Sequence, residues 1–325
     1  MKAVVCNEYG GPEKLQIEDV PTPELGPGQV RIDLQARGVA FPDTLVIQGK
    51  YQTQPDVPFI PGGEIAGVIS EVADDVQGFA VGDAVLGGIG HGAWTEQVVV
   101  DASRVSKVPD GMDIADAAGF LMNHGTSYYA LKVRAELQPG ETLLVTGAAG
   151  GVGLAAVQLG KLMGARVIAA ASSEEKLALC KEHGADELID YSDGELKEKV
   201  KAVTGGKGAD VIYDAVGGDI FDQCLRCINW NGRLLIIGFA DGRIPAAPAN
   251  LPLLKGSSLV GVFYGRFKTE EPEASDALAQ ELVDMYRDGK VRPYISLRLP
   301  FTEAAKAVEI FNNRQVLGKI VLTND

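Results

Sequence analysis

Over residues 1–120 the apolar positions fall in short strand-like runs (2–6, 29–36, 64–72, 84–86 and 95–100). Turn-forming stretches such as Gly10-Gly-Pro12, Pro21-Thr-Pro23, Gly26-Pro-Gly28 and Pro61-Gly-Gly63 separate them. Many short strands with no long helix between them predict a closed or Greek-key barrel-like domain. The spacing turns helical at 113–120, and a second helix is expected over 122–131. From Thr142 onward the pattern changes: strands at 142–145, 166–171, 187–189, 209–216, 232–238 and 258–263 are interleaved with helices at 174–183, 194–203 and 220–228. Such alternation predicts a parallel, doubly wound α/β sheet with ligands outside the carboxyl ends of its strands. The last stretch reads as a helix at 274–287, a strand at 295–299, a helix at 302–312 and a strand at 319–322, so it is expected to return to the first domain.

Composition narrows the possibilities. A chain of 325 residues suggests about two domains, and 46% hydrophobic with 23% charged residues is ordinary for a globular protein with a real core. The net charge of −14 argues against general binding to nucleic acid or an anionic membrane surface. No apolar run approaches a membrane span, and Met1-Lys-Ala-Val-Val reads as a first strand rather than a signal peptide. Four cysteines do not make a disulfide framework, so a reducing cytoplasm is expected.

The candidate chemistry starts at Thr142-Leu-Leu-Val-Thr-Gly-Ala-Ala-Gly-Gly-Val-Gly153, continued by Leu154, Val157 and Leu159 at near-helical spacing. This is strand, tight turn, helix, with a second strand at 166–171. Without side chains at Gly147, Gly150, Gly151 and Gly153, backbone N–H groups can approach a ligand closely, and a helix N-terminus carries about half a positive charge. The turn departs from the usual G-x-G-x-x-G by Ala148 in place of the first glycine, and it could be a tight connection only; its flanks favour a pyrophosphate site at Ala149, Gly150, Gly151, Val152 and Gly153. An NAD-type site needs an acid near the end of the second strand, about 20 residues on. This chain has Ala171 there, followed by Ser172 and Ser173, with Lys176 next and Tyr191 after the third strand. A carboxylate would repel a 2′-phosphate, whereas hydroxyls and an ammonium can hold one by charge-assisted bonds. NADPH is therefore favoured over NADH. Each of these residues taken singly could be an ordinary exposed side chain.

Together these motifs resemble the medium-chain dehydrogenase/reductase superfamily, in particular its zinc-free quinone oxidoreductase branch. The resemblance covers nearly the whole chain. It rests on Gly26-Pro-Gly-Gln-Val-Arg31, Ile47-Gln-Gly-Lys-Tyr51, Pro61-Gly-Gly-Glu64, Gly82-Asp-Ala-Val85, Ala148-Ala-Gly-Gly-Val-Gly153, Asp214-Ala-Val-Gly-Gly218 and Gly318-Lys-Ile-Val-Leu322. It implies a GroES-like β-rich catalytic domain (1–121), a Rossmann NADPH-binding domain (122–268) and a C-terminal part (269–325) that rejoins the first. It also implies a homodimer through the Rossmann edge strand at 258–263. A further implication is that Asn123 and Thr126, Val216, Gly238-Phe239-Ala240, Phe263 and Tyr264 lie along the cofactor, with Lys319 within its reach. Helix capping is the other reading of Asn123 and Thr126, and dimer core that of Phe263.

Zinc-dependent members carry a Cys and a Gly-His-Glu motif at positions that here hold Val39 and Gly63, and the four-cysteine structural lobe is missing. Cys224 and Cys227 read as core thiols, and His91, His124 and His183 have no ligand spacing, so no metal site is expected. Without a Lewis acid, hydride delivery to a quinone or to the C=C bond of an enone or enoyl thioester needs a proton donor. Tyr51 matches the tyrosine of related enoyl reductases, although a packing role is equally compatible with it. Quinone reductases of the better-known type carry Asn and Tyr where this chain has Ala40 and Leu45. Glu64 and Asp43 read as structural salt-bridging groups rather than acids. From another functional class, a non-catalytic NADPH-binding redox sensor or structural protein remains as the alternative.

Overall fold

The structure is a computed structural model that describes residues 1–324. Strand β1 (Lys2–Cys6) pairs antiparallel with β2 (Leu15–Asp19). The long β3 (Gln29–Val39) alternates inward and outward, sending Val30, Ile32, Leu34 and Ala36 into the core. Helix α1 (Phe41–Ile47) follows, then β4 (Glu64–Val72), β5 (Ala84–Gly88), β6 (Gln97–Asp101), β7 (Val105–Lys107) and helix α2 (Ile114–Tyr128). Asp113 starts α2 by accepting the Ala115 N–H at 3.0 Å.

The next stretch contains six strands: β8 (Thr142–Thr146), β9 (Arg166–Ala171), β10 (Glu187–Asp190), β11 (Ala209–Asp214), β12 (Ile228–Ile236) and β13 (Ser258–Gly261). Between and after them come α3 (Gly151–Leu162), α4 (Glu174–Glu182), α5 (Leu196–Val203), α6 (Gly218–Cys227), α7 (Asn250–Lys255), α8 (Tyr264–Glu270) and α9 (Pro272–Arg287). The sheet runs β10-β9-β8-β11-β12-β13 with every pairing parallel. Its chain order reverses between β8 and β11, the place where doubly wound sheets bind ligands. Leu143, Leu144, Val145, Val211, Ile212 and Tyr213 are fully buried, which accounts for the near-continuous apolar runs of these strands. The chain ends with β14 (Ile295–Pro300), α10 (Ala304–Asn312) and β15 (Lys319–Thr323). These join the first strands in a seven-stranded sheet of order β14-β15-β3-β4-β5-β7, with β6 also paired to β3. The core of that sheet holds Trp94, Ile32, Leu34, Ile65 and Ile69, and each such side chain contributes about 1.5–3 kcal/mol when buried.

This is the expected mixed α/β architecture, a GroES-like β-rich part and a Rossmann parallel sheet. Several elements differ from expectation. The helices expected at 113–120 and 122–131 are one, because nothing between them breaks the backbone; α2 runs on through a wider-pitched turn at Tyr129–Arg134. Asn123 and Thr126 are therefore interior helix residues and cap nothing. The compact units are 1–122 with 292–325, and 123–291. Helix α9, expected in the C-terminal part, instead packs within the second unit, where Glu281 accepts from the Tyr128 hydroxyl at 2.6 Å and from Lys132 Nζ at 2.7 Å. Among the described residues no helix is long and apolar enough to cross a membrane.

Candidate functional site

In the second unit, three post-strand turns meet beside the switch point of the sheet. The turn after β8 has Gly147 at φ +62°, and a Cβ there would stand 3.1 Å from Val216, in the turn after β11. Ala240 donates its N–H to the Ala215 carbonyl at 3.2 Å, which brings Gly238-Phe239-Ala240, after β12, onto the same turn. Asp214 fastens the group: its carboxylate accepts from Thr146 Oγ1 at 2.6 Å and from the Val216 and Gly217 N–H groups at 3.0 and 3.2 Å. Burial pushes this carboxyl up, and those three donors pull it back. Asp214 opens the Asp214-Ala-Val-Gly-Gly218 motif, and its position two and three residues before the amides it binds is the sequence signal for this role.

Helix α3 begins at Gly150 in extended backbone, with no side-chain cap and no acidic residue in its first turn. Its N-terminal amides thus lack the side-chain acceptor that would normally engage one of them. A Cβ at Gly150 would find nothing nearer than 3.4 Å, so there is room above it. Gly151 and Gly153 are glycines for another reason, since a Cβ at either would run into Asn123 or the Gly147 carbonyl. Asn123 is therefore packed directly against the start of α3. One residue pair further along, Ser127 Oγ bonds the Val152 carbonyl at 2.7 Å and the Tyr213 hydroxyl at 2.9 Å. Thr126 is half-buried on the same helix. An uncapped twelve-residue helix, a roomy glycine and a tight glycine turn fit a pyrophosphate.

The four residues read as a 2′-phosphate site are also brought together. Ser173 caps α4, accepting the Lys176 N–H at 3.4 Å, and Lys176 Nζ lies 3.4 Å from Ser172 Oγ. Tyr191 N–H donates to the Ala171 carbonyl at 3.1 Å, which sets the tyrosine beside the end of β9. Ala171 itself is fully buried and offers no carboxylate.

The residues after β13 are placed as follows. The Tyr264 ring is buried beside Tyr129 and Phe267 and lies over Gly125, so its side chain serves packing. Phe263, after β13, is 56% exposed.

In the first unit Lys319 is buried and forms an ion pair with Glu64, so its ammonium is committed within this unit. Asp43 sits at the third position of α1 and accepts the Ala40 N–H at 2.8 Å. Burial pushes its carboxyl up to about 7, against the pull of the Ala40 N–H and of Lys319, while Glu64 adds to the rise. Tyr51 packs on the barrel core, and burial first, then the Asp43 charge, holds its phenol above the ordinary tyrosine range. The Tyr51 loop is folded back on α1 by Lys50 N–H to the Leu45 carbonyl (2.8 Å) and by Gln54 to the Gly49 carbonyl (2.8 Å). At the positions of the zinc ligands, Val39 is buried and a Cβ on Gly63 would meet the Gly90 carbonyl at 3.0 Å. Among the described residues no three His, Cys, Asp or Glu side chains cluster as a metal ion requires, and all four cysteines are free and buried.

The chain is similar to known proteins over nearly its whole length. The family described as "Alcohol dehydrogenase GroES-like domain" matches residues 26–110, and "Zinc-binding dehydrogenase" matches residues 151–280. The chain is 42% identical over 325 residues to quinone oxidoreductase-like protein 2 homolog of Nematostella vectensis, covering 99% of this chain and 88% of that one. It is 38% identical to a quinone oxidoreductase of Pseudomonas aeruginosa, covering 99% of both. The crystal structure of Escherichia coli quinone oxidoreductase complexed with NADPH superposes with a TM-score of 0.93 at 27% identity, covering 99% of this chain and all of that one.

Proposed function

This chain belongs to the zinc-free quinone oxidoreductase branch of the medium-chain dehydrogenase/reductase family, and from that premise we propose that it is an NADPH-dependent oxidoreductase. Its substrates are a quinone or the C=C bond of an α,β-unsaturated carbonyl, either an enone or an enoyl thioester. The observation that carries the reading is the Ser172 hydroxyl beside the Lys176 ammonium at the end of β9, where an NAD enzyme needs an acid, with Tyr191 anchored to the same strand end by its backbone N–H.

NADPH, when bound, supplies the hydride. The start of α3, from Gly150 to Gly153 with Ala149, binds the pyrophosphate, and Lys176 with Ser172 and Tyr191 binds the 2′-phosphate. Val216, Gly238, Phe239 and Ala240, with Asn123 and Thr126, would lie along the rest of the cofactor. Tyr51 holds the proton that the reduced substrate takes up. A tyrosine phenol is neutral at pH 7, the form able to donate, and burial holds this one further above the ordinary tyrosine range. Residues 1–122 with the returning C-terminal strands form the catalytic domain, and 123–291 the cofactor-binding domain. The chain works as a homodimer in a reducing cytoplasm. Supporting the dimer, β13 is a short edge strand in a region where Trp230, Leu253, Leu254 and Phe263 are exposed.

The test is NADPH consumption with 1,4-naphthoquinone, 9,10-phenanthrenequinone, 2-cyclohexenone, acrylyl-CoA and crotonyl-CoA. Turnover of at least one class, with kcat/KM for NADPH well above that for NADH, is expected. Equal or better kcat/KM with NADH would refute the cofactor assignment. Tight NADPH binding without turnover over the whole panel would replace the enzyme by a non-catalytic NADPH-binding protein.

A further inference from the structure

In the second unit a buried chain of hydroxyls reaches the start of α3. Ser127, on α2, and Tyr213, on β11, are both completely buried. Ser127 Oγ lies 2.7 Å from the Val152 carbonyl and 2.9 Å from the Tyr213 hydroxyl. A carbonyl can only accept, so the single Ser127 proton goes to Val152 and the Tyr213 O–H donates to Ser127 Oγ. The direction is therefore fixed, from Tyr213 through Ser127 to Val152. Ser127 is 86 positions from Tyr213 and 25 from Val152, so only the packing of β11, α2 and α3 lines the three up. One turn earlier on α2, Asn123 packs on Gly151, and the same helix thus braces both residues that open α3.

The Val152 carbonyl shares one rigid peptide plane with the Gly153 N–H. That N–H lies in the first turn, ahead of Leu154, whose own N–H is the first in the helix to find a main-chain acceptor, the Gly150 carbonyl at 2.7 Å. A hydrogen bond received at the Val152 carbonyl holds the plane in one orientation and strengthens the N–H on its far side as a donor. Glycine leaves the backbone few steric restraints. A larger residue would stiffen the turn, but a Cβ at Gly153 would run into the Gly147 carbonyl, so the restraint has to come from the hydroxyls. We infer that Ser127 and Tyr213 are positioning residues for the coenzyme: they hold the Val152–Gly153 peptide so that its N–H meets the pyrophosphate. The inference rests on NADPH lying against the start of α3.

Two measurements on the full chain separate this from the reading it rests on. The first titrates NADPH and adenosine 2′-monophosphate, which carries the 2′-phosphate and no pyrophosphate, by calorimetry. Ser127→Ala and Tyr213→Phe are each expected to weaken NADPH roughly three- to tenfold, the net effect of one hydrogen bond, and to leave adenosine 2′-monophosphate unchanged. Because Tyr213 acts only through Ser127, the double variant should bind no more weakly than Ser127→Ala. Wild-type NADPH binding in Ser127→Ala, additive losses in the double variant, or an equal loss for both ligands overturns the inference; the last is what a merely loosened unit would give. The second measurement uses no coenzyme. In protein labelled with carbonyl-13C valine and 15N glycine, the Val–Gly signal missing from Val152→Ile belongs to the Val152–Gly153 peptide. Its carbonyl resonance is expected to move upfield in Ser127→Ala and by a smaller step in Tyr213→Phe, and a resonance unmoved in both overturns the hydroxyl chain. A wild type that binds neither ligand defeats the coenzyme reading, and with it the role assigned to the peptide, while the carbonyl resonance still decides whether the hydroxyls hold it.

Discussion

Lys176 and Asp43 illustrate how single side chains divide the work. Lys176 is half-buried, with its ammonium near the Ser172 hydroxyl at the end of β9, where a phosphate would draw charge-assisted bonds from both. Replacing it by alanine is expected to raise KM for NADPH about tenfold, roughly 1.4 kcal/mol, and to leave KM for NADH nearly unchanged, which steady-state kinetics with both coenzymes will read. Asp43 acts on stability instead. Its folded-state pKa stands above the unfolded value, so the stabilisation belonging to its protonated form is complete below about pH 4 and is lost as pH rises toward about 7. Asp43→Asn removes that loss. The variant is expected to melt at a higher temperature than the wild type at pH 8, by a stability difference of up to ~4 kcal/mol, and to show little difference at pH 4; thermal melts at the two pH values check the sign.

At the scale of elements, the glycine turn between β8 and α3 has two kinds of glycine. Gly153 and Gly151 have no space for a methyl group, whereas Gly150 has space and ordinary extended backbone. Gly153→Ala is therefore expected to destabilise the fold by about 1–3 kcal/mol. Gly150→Ala should unfold at the wild-type denaturant midpoint yet weaken NADPH binding at least tenfold in a fluorescence titration. The strand–turn–helix unit was legible in the sequence because β8 is buried on both faces and reads as an unbroken apolar run that stops at glycine. Helix α1 was not legible: Pro42 looks like a breaker, but it occupies the first turn of a helix, where its missing N–H does no harm. Helices α7 and α8 went unread as well, being short and set among prolines and exposed residues. The residues of the proposed 2′-phosphate site could be picked out because they follow strand ends closely in the chain. The Glu64–Lys319 pair joins residues 255 apart, and only the closing of the sheet identifies the partner that holds each charge.

At the scale of the whole molecule, charge and assembly are the properties to test. With a net charge of −14 the protein must bind its anionic coenzyme through a few local donors, so added salt should weaken NADPH binding more in the wild type than in Lys176→Ala. The exposed apolar side chains near β13 set the expectation for assembly. Leu254→Asp, at a position 67% exposed in the single chain, should fold normally and sediment as a monomer where the wild type sediments as a dimer; a wild type that already sediments as a monomer would remove the homodimer. The β-rich unit could not be delimited at residue resolution from the sequence alone, since α9 has the same amphipathic pattern whichever unit it packs in.

The place of β15 between β14 and β3 has a consequence for biosynthesis. Synthesis on the ribosome delivers β3 early and its neighbour β15 only after the entire dinucleotide-type unit has been made. Throughout that interval the edge of β3 that β15 will cover is left unpaired, so the nascent chain carries an adhesive strand that has to be shielded until Lys319–Thr323 emerges.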